Sequence, residues 1–238
     1  MDEICCRTIP IGEAARSVVV DFFRECLTTK KREASKFFYD TTLYDYRAWY
    51  QEGLQGDHLI EFFVGPEDYR KLMVKKEGSA AFCDLYHEKL EEATLLKDLS
   101  GMKLERIVHW HGTAAHPLRL EAHAFALKVL PGKRDLLLRM VHELEGPRLE
   151  MAVLQRKHLG TATWMGFLQD VDDDTYFVQY FDAFVDRKYY DEKLPPVNPE
   201  FLDWSMTTLK EITGCDWRDE GEWPHVASLY QYAKSDIT

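Results

Sequence analysis

The stretch VVVDFFRECLTTKKREASKFFYDTTLYDYRAWYQEGLQGDHLIEFF, residues 18–63, carries the strongest structural signal in the chain. Residues 13–27 place apolar side chains at the spacing of an amphipathic helix, and a second helix is predicted over about residues 30–39. LYDYRAWY, residues 43–50, alternates between two faces that both carry aromatic side chains, which predicts a strand covered on both sides. Two glycines follow, and Asp57 can cap a third helix that contains LIEFF.

Downstream of Met102 the sequence takes on the alternation of apolar and polar residues that is typical of strands. The segments that show it are KLERIVHWHGTA, LRLEAHAFALKVL, DLLLRMVHELEG, LEMAVLQRKHLG, TATWMGFLQDV and TYFVQYFDAFV. Short turns rich in Pro, Gly or Asp separate them, which predicts an antiparallel meander, and helices followed by such a sheet predict an α+β fold. No internal repeat is evident in the sequence. EKLPPVNPE is typical of a stiff connector, and one or two helices are predicted after it.

Composition and charge disfavour several classes of protein. The chain has 30 basic and 41 acidic residues, a net charge of −11, which disfavours a nucleic-acid-binding surface. Its five scattered cysteines, at positions 5, 6, 26, 83 and 215, are typical of reduced thiols. The N-terminus lacks the layout of a signal peptide, and no apolar stretch approaches the roughly 20 residues of a membrane span. We therefore expect a soluble protein of the nucleus and cytoplasm.

The opening stretch and the segment YFDAF, residues 180–184, together resemble the nuclear transport factor 2-like superfamily, and within it the small cofactors of messenger-RNA export. VVVDFFRECLTTKKREASKFFY corresponds to the first two helices, YDYRAW to the first strand and GLQGDHLIEFF to the glycine turn and third helix. The family's last strand commonly ends with Asp, any residue, Phe and Arg; here Asp182 and Phe184 match, and Val185 replaces the arginine. The resemblance implies a cone in which N-terminal helices pack into a strongly bent antiparallel sheet.

The same resemblance implies how the chain is organised and what it does. Residues 10–190 would form the domain with an enlarged middle segment, 191–200 a proline-rich connector and 201–238 a helical appendage. The implied function is a non-enzymatic, dimerising adaptor that pairs with an export-receptor-like protein in RNA export or RNA handling. A pocket for the Phe-Gly repeats of pore proteins would be a further consequence. No cofactor, no metal, no membrane and no direct nucleic-acid contact are expected.

A surplus of aromatic residues near the end of the sheet is the feature that predicts a protein partner. In TYFVQYFDAFV both faces are bulky, so one face can fill the core while the other is left to be covered. Either a second chain or the extra segments of this chain could cover it. The residues predicted to form the partner interface are Trp164, Phe167, Phe177, Gln179, Phe181 and Phe184.

Two further functions stay open at this point. A small-molecule isomerase, dehydratase or hydrolase would use a Tyr/Asp/His site in the cone. Its candidate residues are Tyr44, Asp45, Tyr46, His109 and His111. Alternatively, the tyrosines fill the core and Asp45 faces Arg47 or solvent, and the protein is a homodimeric scaffold without a ligand. His109 and His111 share one face of a strand, as metal ligands would, but no acidic residue or cysteine on that face is near them, so we predict no metal site.

Overall fold

The computed structural model describes residues 2–40, 43–53, 55–66, 81–96, 102–111, 120–184 and 196–233. The helices in these ranges are α1 Arg16–Leu27, α2 Lys31–Asp40, α3 Ala81–Ala93, α4 Arg134–Glu145, α5 Leu149–His158 and α6 Pro199–Thr213. The strands are β1 Asp2–Ile11, β2 Asp45–Glu52, β3 Asp57–Pro66, β4 Lys103–His111, β5 Leu120–Val129, β6 Thr161–Val171, β7 Asp174–Phe184 and β8 His225–Ala233.

The described strands form two four-stranded sheets, in the orders β1-β3-β2-β8 and β4-β6-β7-β5. The pairs β1–β3, β2–β3, β2–β8 and β5–β7 are antiparallel. Helices and antiparallel strands together confirm the α+β class. The single bent sheet of the expected cone is not confirmed, because the strands divide between two sheets of equal size.

The order of elements repeats along the chain. Among the described elements, both halves follow the order strand, helix, helix, strand, strand, helix, strand, from β1 to β4 and from β5 to β8. The first three strands of each half pair with one another in the same order, β1-β3-β2 and β5-β7-β6. The fourth strand is exchanged, because β8 completes the first sheet and β4 completes the second. The fold is therefore an internal duplication with exchanged last strands.

From β1 to β3 in the first half and from β5 to β7 in the second, positions correspond at a shift of 118 residues. After α1 the N–H of Thr28 donates to the carbonyl of Glu25, and after α4 the N–H of Gly146 donates to the carbonyl of Glu143 (28 to 146, 25 to 143). The sheet register follows the same shift. Corresponding cross-strand pairs are Arg7 with Glu61 in the first half and Phe125 with Gln179 in the second.

The third helix of each half matches at a shift of 119 positions. At the end of α3 the hydroxyl oxygen of Thr94 accepts a hydrogen bond from the N–H of Leu96. At the end of α6 the hydroxyl oxygen of Thr213 accepts one from the N–H of Cys215, so 94 corresponds to 213 and 96 to 215. Few equivalent side chains are alike, which explains why no repeat is evident in the sequence. Examples of the differences are Cys26 and Leu144, Phe38 and Arg156, and Tyr46 and Trp164.

The chain groups into two compact units, each with its own core. The first unit consists of Met1–Leu104, Gln169–Asp172 and Pro224–Thr238, and the second of Glu105–Leu168 and Asp173–Trp223. Aromatic residues dominate the first core, where rings from α1, α2, α3 and three strands meet. The second core is mainly aliphatic, built around residues such as Leu137, Leu168 and Ile212.

Several sequence-based assignments of secondary structure are confirmed and others are wrong. Helices α1 and α2 and strand β2 lie where the opening stretch predicted them. Residues 57–66 form strand β3 instead of a third helix, and α4 and α5 replace two predicted strands of the meander. The predicted helical appendage contains helix α6 but also strand β8. None of the described helices is both long and apolar enough to cross a membrane.

Candidate functional site

A charged network lies in the core of the first unit. Arg7 of β1 and Glu61 of β3 are cross-strand partners, and their exposed fractions are 2% and 0%. Tyr46 of β2 and Tyr86 of α3 are also buried and point into the same place. We call these four residues the Glu61 network. It brings two formal charges and two phenol hydroxyls into a core that is otherwise mostly apolar.

Both carboxylate oxygens of Glu61 accept hydrogen bonds. Oε2 accepts from Arg7, from Nε at 2.9 Å and also from Nη2. Oε1 accepts from the hydroxyl of Tyr46 at 2.5 Å and from the hydroxyl of Tyr86. Arg7 Nη2 also donates to the Tyr86 hydroxyl at 3.2 Å. The forked guanidinium and the two hydroxyls fix the orientation of the carboxylate.

The attraction of Glu61 offsets the cost of burying the charge of Arg7. Burial disfavours the charged form of Arg7, but the attraction of Glu61 outweighs it, so the pKa of Arg7 lies above its ordinary value. Burial, followed by the negative charge of Glu61, raises the pKa of both the Tyr46 and Tyr86 hydroxyls well above its ordinary value. Both tyrosines therefore stay protonated at neutral pH and act as hydrogen-bond donors.

Aromatic rings enclose the network. Phe38 of α2 stacks on Tyr46, with 4.4 Å between the ring centroids. Phe22 lies 6.0 Å from Tyr86, between centroids. The phenylalanine rings that contact the tyrosines or arginine of the network are Phe22, Phe37, Phe38 and Phe63. The surroundings therefore favour flat, apolar groups beside the carboxylate.

The second unit keeps the backbone positions of the network but not its charges. At the shifts given above, Phe125 and Gln179 stand where the first unit has Arg7 and Glu61. Trp164 stands where the first unit has Tyr46, and its Nε1 donates to Gln179 Oε1 at 3.0 Å. Ser205 takes the place of Tyr86 and donates to the carbonyl of Leu202 at 3.0 Å. The hydrogen bond between the β6 and β7 side chains is kept, and the ion pair is absent.

The three neighbouring candidates Tyr44, Asp45 and Tyr46 have different surroundings in the structure. Tyr46 belongs to the Glu61 network, whereas the side chain of Tyr44 is 39% exposed. Asp45 accepts from Arg47, with 2.7 Å between Oδ2 and Nη2. This contact is the non-catalytic alternative that the sequence analysis left open for Asp45.

The candidate histidines do not join the network. His109 lies on β4 in the second unit and is exposed, and the side chain of His111 lies outside the described part. Within the described ranges, no three His, Cys, Asp or Glu side chains group as metal ligands would.

The six residues predicted to face a partner have unequal exposure. Phe167 and Phe177 are buried inside the second unit, at 1% and 3% exposure. Trp164 and Gln179 are bonded to each other, as described above. Phe181 is partly buried and stacks on His123, with 5.1 Å between centroids. The side chain of Phe184 lies outside the described part.

Sequence reasoning missed three members of the Glu61 network: Arg7, Glu61 and Tyr86. A signal for two of them exists, because a single ionisable residue interrupts an apolar run in both CCRTIPI and LIEFF. Lone charges in apolar runs are usually paired when buried. The pairing itself depends on the register of β1 with β3, which joins positions 54 residues apart.

Comparison with known proteins gives no family. No protein-family model matches the chain, and no curated protein matches it in sequence. A solved anthrone oxidase-like protein matches with 12% identity over 97% of this chain and 92% of that chain, at a TM-score of 0.49. A candidate monooxygenase from Lactobacillus acidophilus NCFM matches with 10% identity over 98% and 96%, at a TM-score of 0.41. A candidate monooxygenase from Fusobacterium nucleatum subsp. nucleatum matches with 10% identity over 98% and 94%, at 0.45.

The resemblance to the nuclear transport factor 2-like export cofactors is wrong. The described strands form two four-stranded sheets instead of the one bent sheet that this resemblance implies. The adaptor function, its export-receptor partner and the nuclear role that followed from the resemblance are therefore withdrawn.

Proposed function

We propose that the chain is a small-molecule enzyme whose acid–base centre is the Glu61 network. The network has the composition of such a centre: one carboxylate that can take up a proton, two phenol donors and one fixed positive charge. All four groups converge on one point in a low-dielectric core. This proposal follows the small-molecule alternative of the sequence analysis but places the site on different residues, with Tyr46 as the shared member.

The contrast between the two units is the observation that carries the proposal. The same backbone framework in the second unit is built with Phe125 and Gln179 in place of Arg7 and Glu61. The framework therefore does not require a buried ion pair, and such pairs contribute little stability compared with well-packed apolar residues. Since the second unit has the same framework without these charges, a functional role explains the Glu61 network better than packing does.

Each member of the network has a distinct role in the proposed chemistry. The carboxylate of Glu61 takes a proton from a weakly acidic C–H or O–H of a substrate that occupies the place of one tyrosine hydroxyl. Arg7 fixes the orientation of the carboxylate through two N–H groups. The remaining tyrosine donates to the oxygen on which negative charge develops, because its own hydroxyl stays protonated. The proton then returns to another atom of the same molecule or passes to water.

The rings around the network indicate the class of substrate. Phe38 and Phe63 lie against Tyr46, so a molecule that enters here meets flat apolar surfaces beside the carboxylate. An uncharged or weakly acidic aromatic compound, such as a phenol or an aromatic ketone with an acidic C–H, fits these surroundings.

Solvent-deuterium exchange provides the test, since it detects proton abstraction whatever product the reaction forms. The purified chain is incubated in D2O with a panel of aromatic ketones and phenols, and proton NMR follows the loss of exchangeable C–H signals. We expect wild type to accelerate exchange of at least one compound, and Glu61→Gln to reduce that rate by about 10²–10⁴-fold.

Asp45→Asn is the matched control, because it removes a carboxylate of the same unit that bonds Arg47 and not the network. Its exchange rate should equal that of wild type. Equal rates for wild type and Glu61→Gln, or no acceleration of any panel compound, would refute the proposed centre.

A further inference from the structure

Arg156 of α5 is a buried cation of the second unit that forms no ion pair with a described carboxylate. Its exposed fraction is 7%, and it forms no ion pair or hydrogen bond with any described residue. Its Nη1 is fully buried and has no acceptor within the same ranges. A buried guanidinium that lacks an anionic partner costs free energy, so its presence calls for a ligand or a function.

Two indole rings hold the guanidinium. Its central carbon lies 4.4 Å from the centroid of Trp164 on β6 and 5.2 Å from that of Trp110 on β4. Cation–π contacts of this kind engage the face of a guanidinium, so hydrogen-bond acceptors approach it in its plane, through the N–H groups. Trp164 is itself fixed, because its Nε1 donates to Gln179.

The pKa of Arg156 shows that the cost of burying its charge is offset only in part. Burial lowers the pKa of its guanidinium to about 10, and the attraction of Glu145 opposes burial only in part. The side chain is still charged at neutral pH. An anion at its N–H edge would therefore be bound by a full positive charge in surroundings of low dielectric.

Packing alone does not demand an arginine at this position. The equivalent residue of the first unit is Phe38, at the shift of 118 positions, and it stacks on Tyr46 and lies 5.4 Å from Tyr232. A neutral ring thus fills the same place between a helix and two strands. The second unit carries a cation where the first carries a phenyl ring, which is the reverse of the arrangement in the Glu61 network.

We propose that Arg156, Trp110 and Trp164 form a binding site for a small carboxylate ligand in the second unit. A carboxylate is flat and can accept two parallel N–H bonds in the plane of the guanidinium, a direction that cation–π contacts do not use. This site is independent of the proposed reaction: it requires only that the ligand carries a carboxylate group.

Arg148 supplies a matched control in the same unit. Its guanidinium also lies over an indole, 4.1 Å from the centroid of Trp204. Unlike Arg156, it forms an ion pair, with 3.2 Å between Nε and Glu143 Oε2, and its side chain is 39% exposed. Removing Arg148 therefore removes a cation–π contact but no uncompensated charge.

Benzoate is the probe, and acetate and inorganic phosphate are the comparison anions. Binding to the full chain is followed by tryptophan fluorescence and by calorimetry. We expect saturable benzoate binding to wild type, at least about tenfold weaker binding to Arg156→Gln, and unchanged binding to Arg148→Gln. Arg156→Lys keeps the charge without the fork and should bind with intermediate affinity. It also tests the site if the glutamine variant folds poorly.

Three outcomes would overturn the site. One is the absence of saturable benzoate binding to wild type at millimolar concentration. Another is that Arg156→Gln binds benzoate with the affinity of wild type, or that Arg156→Lys does so if the glutamine variant folds poorly. The third is tighter binding of phosphate than of benzoate, which would contradict the flat, in-plane recognition.

Discussion

Replacing Arg7 alone should destabilise the first unit far more than replacing Arg7 and Glu61 together. Arg7→Phe leaves the Glu61 carboxylate at 0% exposure without a positive partner. The double variant Arg7→Phe/Glu61→Gln instead installs the residues that the second unit has at these positions, Phe125 and Gln179. It keeps an acceptor oxygen for the hydroxyls of Tyr46 and Tyr86.

The magnitudes follow from the burial of the pair. Breaking a fully buried ion pair costs about 3–5 kcal/mol, whereas replacing both partners with neutral residues is close to neutral. We therefore expect the single variant to lose about 3–5 kcal/mol of unfolding free energy and the double variant to lie within about 1 kcal/mol of wild type. A loss of about 3–5 kcal/mol is a large part of the total stability of an ordinary domain.

Thiol reactivity in urea gives a readout that is specific to the first unit. Cys5, Cys6, Cys26 and Cys83 belong to this unit and are buried, while Cys215 belongs to the second. The urea midpoint for labelling of the four thiols should fall in Arg7→Phe and recover in the double variant. A single variant within about 1 kcal/mol of wild type, or a double variant as unstable as the single, would refute the reasoning.

Three further predictions concern other contacts. Tyr86→Phe removes one donor to Glu61 and should cost about 1.5–3 kcal/mol, measured by urea unfolding. Tyr46 and Tyr86 bind their protons more tightly in the folded state, so the stability they contribute is full below the unfolded pKa, near 10, and is lost as pH rises toward the raised folded pKa. Above about pH 10 the urea midpoint of wild type should therefore fall more steeply than that of Tyr46→Phe/Tyr86→Phe. At Gly166 a Cβ would lie 2.6 Å from Val108 Cγ1 and 2.7 Å from Phe177 Cε2, so Gly166→Ala should cost about 1–3 kcal/mol. Gly53→Ala meets only ordinary contacts, 3.6 Å from Pro224 Cα at the nearest, and a thermal melt should show it near wild type.

Local periodicity was enough to predict the elements at the start of the chain. In α1 the buried residues Val19, Phe22, Phe23 and Cys26 fall on one face, and this spacing is legible in the sequence. Helix α4 shows the same spacing at Leu137, Met140, Val141 and Leu144, so its assignment as a strand was an error of interpretation.

Strand β3 could not be told from a helix by its apolar run. Every residue from His58 to Phe63 is buried, so both faces of the strand are covered and the alternation typical of strands is missing. The duplication was hidden for a different reason. Equivalent positions preserve the strand register but not the residue type, as Glu61 and Gln179 illustrate.

The candidate site was only partly predictable because its members come from four elements. Tyr46 was a candidate from its place in an aromatic strand, but nothing local joins it to Arg7, Glu61 and Tyr86. Arg156 was not singled out, since one arginine in a polar helix surface is ordinary until its burial is known.

Deuterium exchange by the folded double variant Arg7→Phe/Glu61→Gln tests the central claim most directly. This variant keeps the backbone framework of the first unit but has, at positions 7 and 61, the residue types that the second unit has at Phe125 and Gln179. We expect an exchange rate lower than that of wild type by at least about 10²-fold, with benzoate binding unchanged. A folded double variant that exchanges at the wild-type rate would contradict it.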